Sequence, residues 1–157
     1  MSREEFIRAC DPVLASGTAP WPADRFDAAK FAAMADLVQT RVQVLGDVPA
    51  MVDFLFLDTP VIDDAAWAKA TKEEWARSVL AETSTSFAAL GSWTAESLKA
   101  ELERTTESLG LKLGKTQAPI RVAITGRSVG PPLFESIEVL GREATLRRLT
   151  AALDRIT

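Results

Sequence analysis

The residues with most to offer chemically sit in one late stretch, "RVAITGRSVGPPLFESIEVLG". Arg121 and Arg127 carry guanidinium groups, which pair with phosphates and base edges and stack on rings. Gly126 and Gly130 permit positive φ, while Pro131 and Pro132 fix two φ angles and remove two N–H donors. The segment therefore reads as a stiff corner whose carbonyls are left as free acceptors. Leu133 and Phe134 follow at once and would set an apolar surface beside that edge. Single-stranded RNA is read in this manner, by splaying bases onto apolar or aromatic side chains and bonding their edges from backbone groups and Arg. The same residues also fit a tight helix–helix connection with Phe134 in the core.

Other chemistry lacks its parts. The 157 residues contain no histidine, which removes the commonest general acid/base and the commonest transition-metal ligand. Asp63–Asp64 and Glu73–Glu74 are adjacent acids, and neighbours on a helix diverge by about 100°, so they read as caps and first-turn charges. The stretch "KLGKT" at 112–116 lacks the first glycine and the spacing of a phosphate-cradling loop. Cys10 is the single cysteine, so there is neither an intrachain disulfide nor a cysteine-rich zinc site, and it reads as a small core residue. No catalytic and no metal-binding residue is expected.

The net charge of −4 hides an asymmetry. Residues 1–110 carry 10 basic and 18 acidic side chains, whereas 111–157 carry 8 basic and 4 acidic, six of the basic ones Arg. A nucleic-acid contact or a merely solvated basic face would both fit that excess. No apolar stretch approaches the ~18 residues needed to cross a bilayer, and the N-terminus lacks a signal-peptide core. A cytoplasmic monomer with no membrane or DNA partner is the expectation.

The elements that must position the corner read as helices throughout. Ser2 and Glu5 have capping-box spacing, with Pro12 as a break or kink, and "ASGTAPWPAD" is a loop. Phe31, Met34, Ala35, Val38, Val42 and Leu45 share a face, predicting one long helix to Gly46. "VPAMVDFLFLD" reads as a short, mostly buried helix with Pro49 in its first turn, a strand being the competing reading. Asp63 or Asp64 caps a short helix through Trp67, and Thr71 with Glu74 makes a second capping box ahead of Trp75, Val79 and Leu80. Thr94 caps a helix carrying Leu98, Leu102, Thr105 and Leu109, stopped by Gly110. Helices over "APIRVAIT", Leu133 to Leu140 and Arg142 to Ile156 complete the chain. Trp21, Trp67, Trp75 and Trp93 read as core packing. The fold class is all-α, in two small lobes, 1–88 and 89–157, with the break near 83–93.

The segment "KLGKTQAPIRVAITGRSVGPPLFESIEVLGREATLRRLTAAL" resembles the C-terminal end of bacterial glutamyl-tRNA synthetases, and "RVQVLGDVPAMVDFLF" resembles an upstream stretch of the same domain. The likeness implies an all-α anticodon-binding domain that recognises the anticodon loop of tRNA(Glu). The Rossmann-type catalytic domain, with its HIGH-like and KMSKS-like motifs, is absent from this chain, so ATP and Mg would belong to the parent enzyme and the fragment would use no cofactor. The resemblance places Arg41 against the first anticodon base and Arg121 against the later bases. Pro131, Leu133 and Phe134 fall in the loop that meets the second and third bases, and Gly130 stands where some relatives have a threonine. A free-standing helical interaction module, docking an acidic protein through its basic last third, is the alternative.

Overall fold

The computed structural model describes residues 1–15, 17 and 19–156; the loop expected around residues 15–24 therefore falls partly outside the described residues. Among them the chain forms nine α-helices and three short 3-10 turns, with no strand, so the all-α expectation holds.

Local capping explains most of the starts. Helix α1 (Arg3–Leu14) opens on a complete capping box: Glu5 N–H donates to Ser2 Oγ at 3.2 Å and Ser2 N–H to Glu5 Oε2 at 2.6 Å. Pro12 does not break it, because the helix runs on to Leu14 and buries Phe6, Cys10 and Leu14 as an i, i+4, i+8 stripe. Helix α2 (Ala28–Gln39) is capped by Asp27, whose carboxylate accepts from Ala29 and Lys30 N–H.

The long helix expected to Gly46 ends seven residues early. Side chains supply the stop: Thr40 Oγ1 and Arg41 Nη1 both donate to Leu37 O, at 3.1 and 2.9 Å, satisfying a last-turn carbonyl without further helix. Leu45, counted on the apolar face, is exposed in a 3-10 turn. Next comes α3 (Val48–Val52), with Pro49 in its first turn, and a 3-10 turn (Asp53–Leu55) that buries Phe54 and Leu55.

Asp63 caps α4 (Asp64–Ala70), accepting from Ala66 N–H at 2.9 Å. The expected second capping box does not form. Thr71 closes α4 instead, its hydroxyl donating to Trp67 O at 2.7 Å, and α5 (Trp75–Ala88) begins without a side-chain cap. Thr94 caps α6 (Ala95–Ser108), and Gly110 at φ 70° ends it as expected. Helices α7 (Leu113–Thr125), α8 (Leu133–Leu140) and α9 (Arg142–Ile156) complete the fold.

Helix α5 packs along α9 and against α6 and α7, while α2 reaches across to α8. One apolar cluster runs from Phe6 to Ala152 and includes Cys10, so that cysteine packs as read. Trp21 is buried, its Nε1–H donating to Leu14 O; Trp93 is half-buried edge-on to Phe87, its Nε1–H donating to Ile137 O. Trp67 and Trp75 are half-buried and pack against the same cluster. A smaller cluster of Ala66, Ala70 and Val122 seats α4 on α7, and it brings α4 beside the corner that follows α7.

Candidate nucleic-acid interface

The corner between α7 and α8 is anchored at three points. Gly126 ends α7 at φ +82°, and residues 61–63 run directly against it: a β-carbon there would lie 1.9 Å from Val61 O, and Asp63 N–H donates to Gly126 O at 2.8 Å. Only glycine fits both the left-handed backbone and that approach. Arg127 then reaches across the molecule to Asp53. Its Nη1 and Nη2 donate to Oδ1 and Oδ2 at 2.5 and 2.8 Å, and Nη1 also donates to Ala50 O at 2.7 Å. This is a two-pronged charge-assisted pair, with the Asp53 side chain 4% exposed and that of Arg127 34%. The hydrogen bonds to Asp53 raise the Arg127 pKa. The third anchor is Arg121, whose Nη1 donates to Pro131 O at 2.8 Å from within α7.

Several sequence expectations change here. Gly130 does not adopt positive φ; of the two loop glycines only Gly126 does. The proline carbonyls are not free acceptors, since Pro131 O takes Arg121 and Pro132 O takes the N–H and hydroxyl of Ser136 in the first turn of α8. Leu133 and Phe134 do not form an open apolar surface. They are 2% and 8% exposed because α8 turns them into the core, so the tight-connection account describes their packing. The exposed part of the corner is Ser128 and Val129. Gly130 lies beside Arg121, with room for a β-carbon 3.7 Å from its Nη1.

The two arginines that the resemblance singles out act on each other through their charges. Arg121 has its pKa lowered, first by burial and then by the positive charge of Arg41. Among the described residues neither has a carboxylate within ion-pair distance. Arg41 is held by the frayed end of α2, Arg121 by the proline corner. Two guanidinium groups kept in mutual repulsion beside a rigid backbone edge favour an anion or an electron-rich base edge between them.

Three other arginines of the last third hold parts of the chain to one another. Arg142 donates to Phe87, Ala88 and Leu90 carbonyls and lies over Trp93; Arg148 donates to Ile124 O and Leu57 O at 2.7 Å each. Burial and neighbouring Arg147 lower the Arg148 pKa to about 10. Arg155 pairs with Asp64 over the Trp67 ring. "KLGKT" is no phosphate loop: it starts α7 and buries Thr116, whose hydroxyl meets that of Thr106 at 3.0 Å.

Residues 5–153 match the family described as "Anticodon binding domain". The chain belongs to the anticodon-binding domain family. The domain is 58% identical to a glutamate–tRNA ligase of Salinispora arenicola over 97% of its own length and 33% of that protein's. Against the glutamate–tRNA ligase of Frankia alni the figures are 57%, 99% and 33%. The chain thus spans about a third of these relatives. A crystal structure of a glutamate tRNA ligase from Elizabethkingia meningosepticum, in complex with its amino acid, shares the fold at a TM-score of 0.83 and 24% identity, covering all of this chain and 30% of that one.

The anchor that sequence reasoning missed in this domain is Asp53. A lone carboxylate inside the apolar run "VPAMVDFLFL" was the available signal, because a charge folded into such a run requires a cation partner.

Proposed function

We propose that the chain is the anticodon-reading part of a glutamate–tRNA ligase and binds the anticodon loop of tRNA(Glu). The observation that carries this reading is Arg121, bonded to Pro131 O at the corner fixed by Gly126 and unpaired by any carboxylate among the described residues, with the charge of Arg41 acting on it. Arg41 meets the first base and Arg121 the later ones. Gly130 and Pro131 supply close backbone approach, while Leu133 and Phe134 act from beneath by holding the corner in place. The division into lobes 1–88 and 89–157 belongs to the same proposal, with the apolar cluster continuous across it.

Joining glutamate to tRNA with ATP and Mg2+ is work for the remainder of the parent ligase. Among the described residues there is no group of three or more His, Cys, Asp or Glu that could hold a metal ion. No described helix is long and apolar enough to cross a membrane. Arg127, Arg142, Arg148 and Arg155 all bond to groups of the chain itself, which leaves less of the last third's charge for an acidic protein partner.

The test is binding of an anticodon stem-loop, with altered anticodon bases as controls. Arg121→Ala should weaken the cognate complex by about 1–3 kcal/mol, the size of a good base contact, with helicity retained. Unchanged affinity in a folded variant overturns the assignment.

A further inference from the structure

Arg121 also lines a concavity, of about 590 Å³, between α4, the start of α5 and α7. Its charged lining is Lys69 from α4, Lys72 and Glu73 from the following turn, and Lys115 and Arg121 from α7; Trp75 forms part of the wall. Four cations face one carboxylate in a protein whose net charge is −4. Lys69, Lys72 and Lys115 are exposed, and among the described residues none has a carboxylate within ion-pair distance. Arg3, Arg25, Arg127 and Arg155, by contrast, all do. Lys115 and Arg121 both reach the groove from α7, roughly 9 Å apart along its axis. Ala66, Ala70, Gly114 and Ala118 keep the space between the lysines low, and a β-carbon at Gly114 would meet nothing within 4 Å.

We propose that this groove holds the sugar-phosphate backbone of the RNA strand whose bases meet Arg121, with Lys69, Lys72 and Lys115 as phosphate contacts. The inference rests on the anticodon reading above and extends it from the loop towards the flanking strand. A polyanion is the occupant favoured by charge, because a row of unneutralised ammonium groups gains most from a ligand that brings several negative charges at once. Phosphate contacts fix position and carry no sequence information, so the groove supplies affinity and register while Arg41 and Arg121 read bases.

The experiment measures stem-loop affinity against salt for the chain carrying Lys69→Gln, Lys72→Gln and Lys115→Gln together. Each lost phosphate contact should flatten the log–log salt dependence by about 0.7–0.9, so the triple variant should lose roughly 2–3 from the slope and on the order of tenfold or more in affinity near 0.1 M salt. The triple Lys→Arg variant should keep the slope. Lys99→Gln, an exposed lysine of α6 outside the groove, should leave it unchanged. The ratio of affinities for cognate and altered anticodons should survive the glutamine triple but change in Arg121→Ala.

A glutamine triple with wild-type slope and affinity, in a chain that still discriminates anticodons, overturns the groove assignment and leaves the anticodon reading standing. A wild-type chain that fails to discriminate anticodons overturns the anticodon reading and the inference built on it. Polyglutamate at equal charge should not displace the stem-loop; displacement on equal terms marks a site for acidic polypeptide and overturns the proposal.

Discussion

Replacing Arg127 by methionine should destabilise the domain far more than its partly exposed position implies. The guanidinium side chain is 34% exposed, but its partner is not: the Asp53 carboxylate is 4% exposed and has Arg127 as its side-chain hydrogen-bond donor among the described residues. Arg127→Met leaves that carboxylate buried and unpaired, a situation that costs about 3–5 kcal/mol. Asp53→Leu is the milder change. It leaves a guanidinium that reaches water and retains Ala50 O as an acceptor, so about 1–2 kcal/mol is expected once solvent screening is counted. The double variant removes both charges and exchanges them for apolar groups of similar volume, which is close to neutral in other buried pairs.

The singles therefore should not add: with a near-neutral double variant the coupling energy should be about 4–7 kcal/mol, the sum of the two single costs. Urea unfolding followed by far-ultraviolet circular dichroism measures all three. With total stabilities of about 5–15 kcal/mol, Arg127→Met should lower the midpoint by a large fraction of its value, and Tm by on the order of 10 °C. Additive singles, or an Arg127→Met cost below about 1 kcal/mol, would refute the view that this pair pins the corner to the first half of the chain.

Glycine substitutions separate backbone strain from collision. Gly141→Ala, at φ +98° with open space around it, should cost about 1–2 kcal/mol, whereas Gly126→Ala, at φ +82° with Val61 O in the way, should cost more than about 3 kcal/mol and shift residues 61–63 in amide exchange. Burial, with a smaller push from Asp11, raises the Cys10 thiol from 9.0 to about 11. The folded state therefore keeps a proton that the unfolded chain releases. Stability is unaffected well below pH 9 and falls as pH rises through 9 towards 11 and beyond, by about 2.7 kcal/mol at most, a decline that the urea midpoint should report and Cys10→Ala should lack.

The sequence disclosed what adjacent residues decide among themselves. Ser2 with Glu5, Asp63 and Thr94 each cap the helix that follows, and Gly110 and Gly126 each end one, because the donor, the acceptor and the permitted φ all lie within a few positions. Thr71 misled for the same local reason: a threonine at a helix boundary bonds backward to Trp67 as readily as forward, and its type does not choose. The end of α2 was hidden in the side chains of Thr40 and Arg41, which satisfy a carbonyl that periodicity treats as helical.

The interface was less legible because its charges are sorted by partners far away in sequence. Arg121 and Arg127 are six residues apart and alike in type, yet Asp53, 74 positions before Arg127, takes one into an ion pair and leaves the other beside Arg41. Counting charge by segment pointed to the last third, where folding ties the arginines to carbonyls and carboxylates of the chain itself. It passed over Lys69 and Lys72, which lie in the acidic part of the sequence and reach Arg121 only because Ala66 and Ala70 seat α4 on α7. What separates Arg121, the proposed RNA contact, from Arg127, which holds the fold, is thus the absence of a carboxylate partner. That absence becomes readable only once the whole chain is packed.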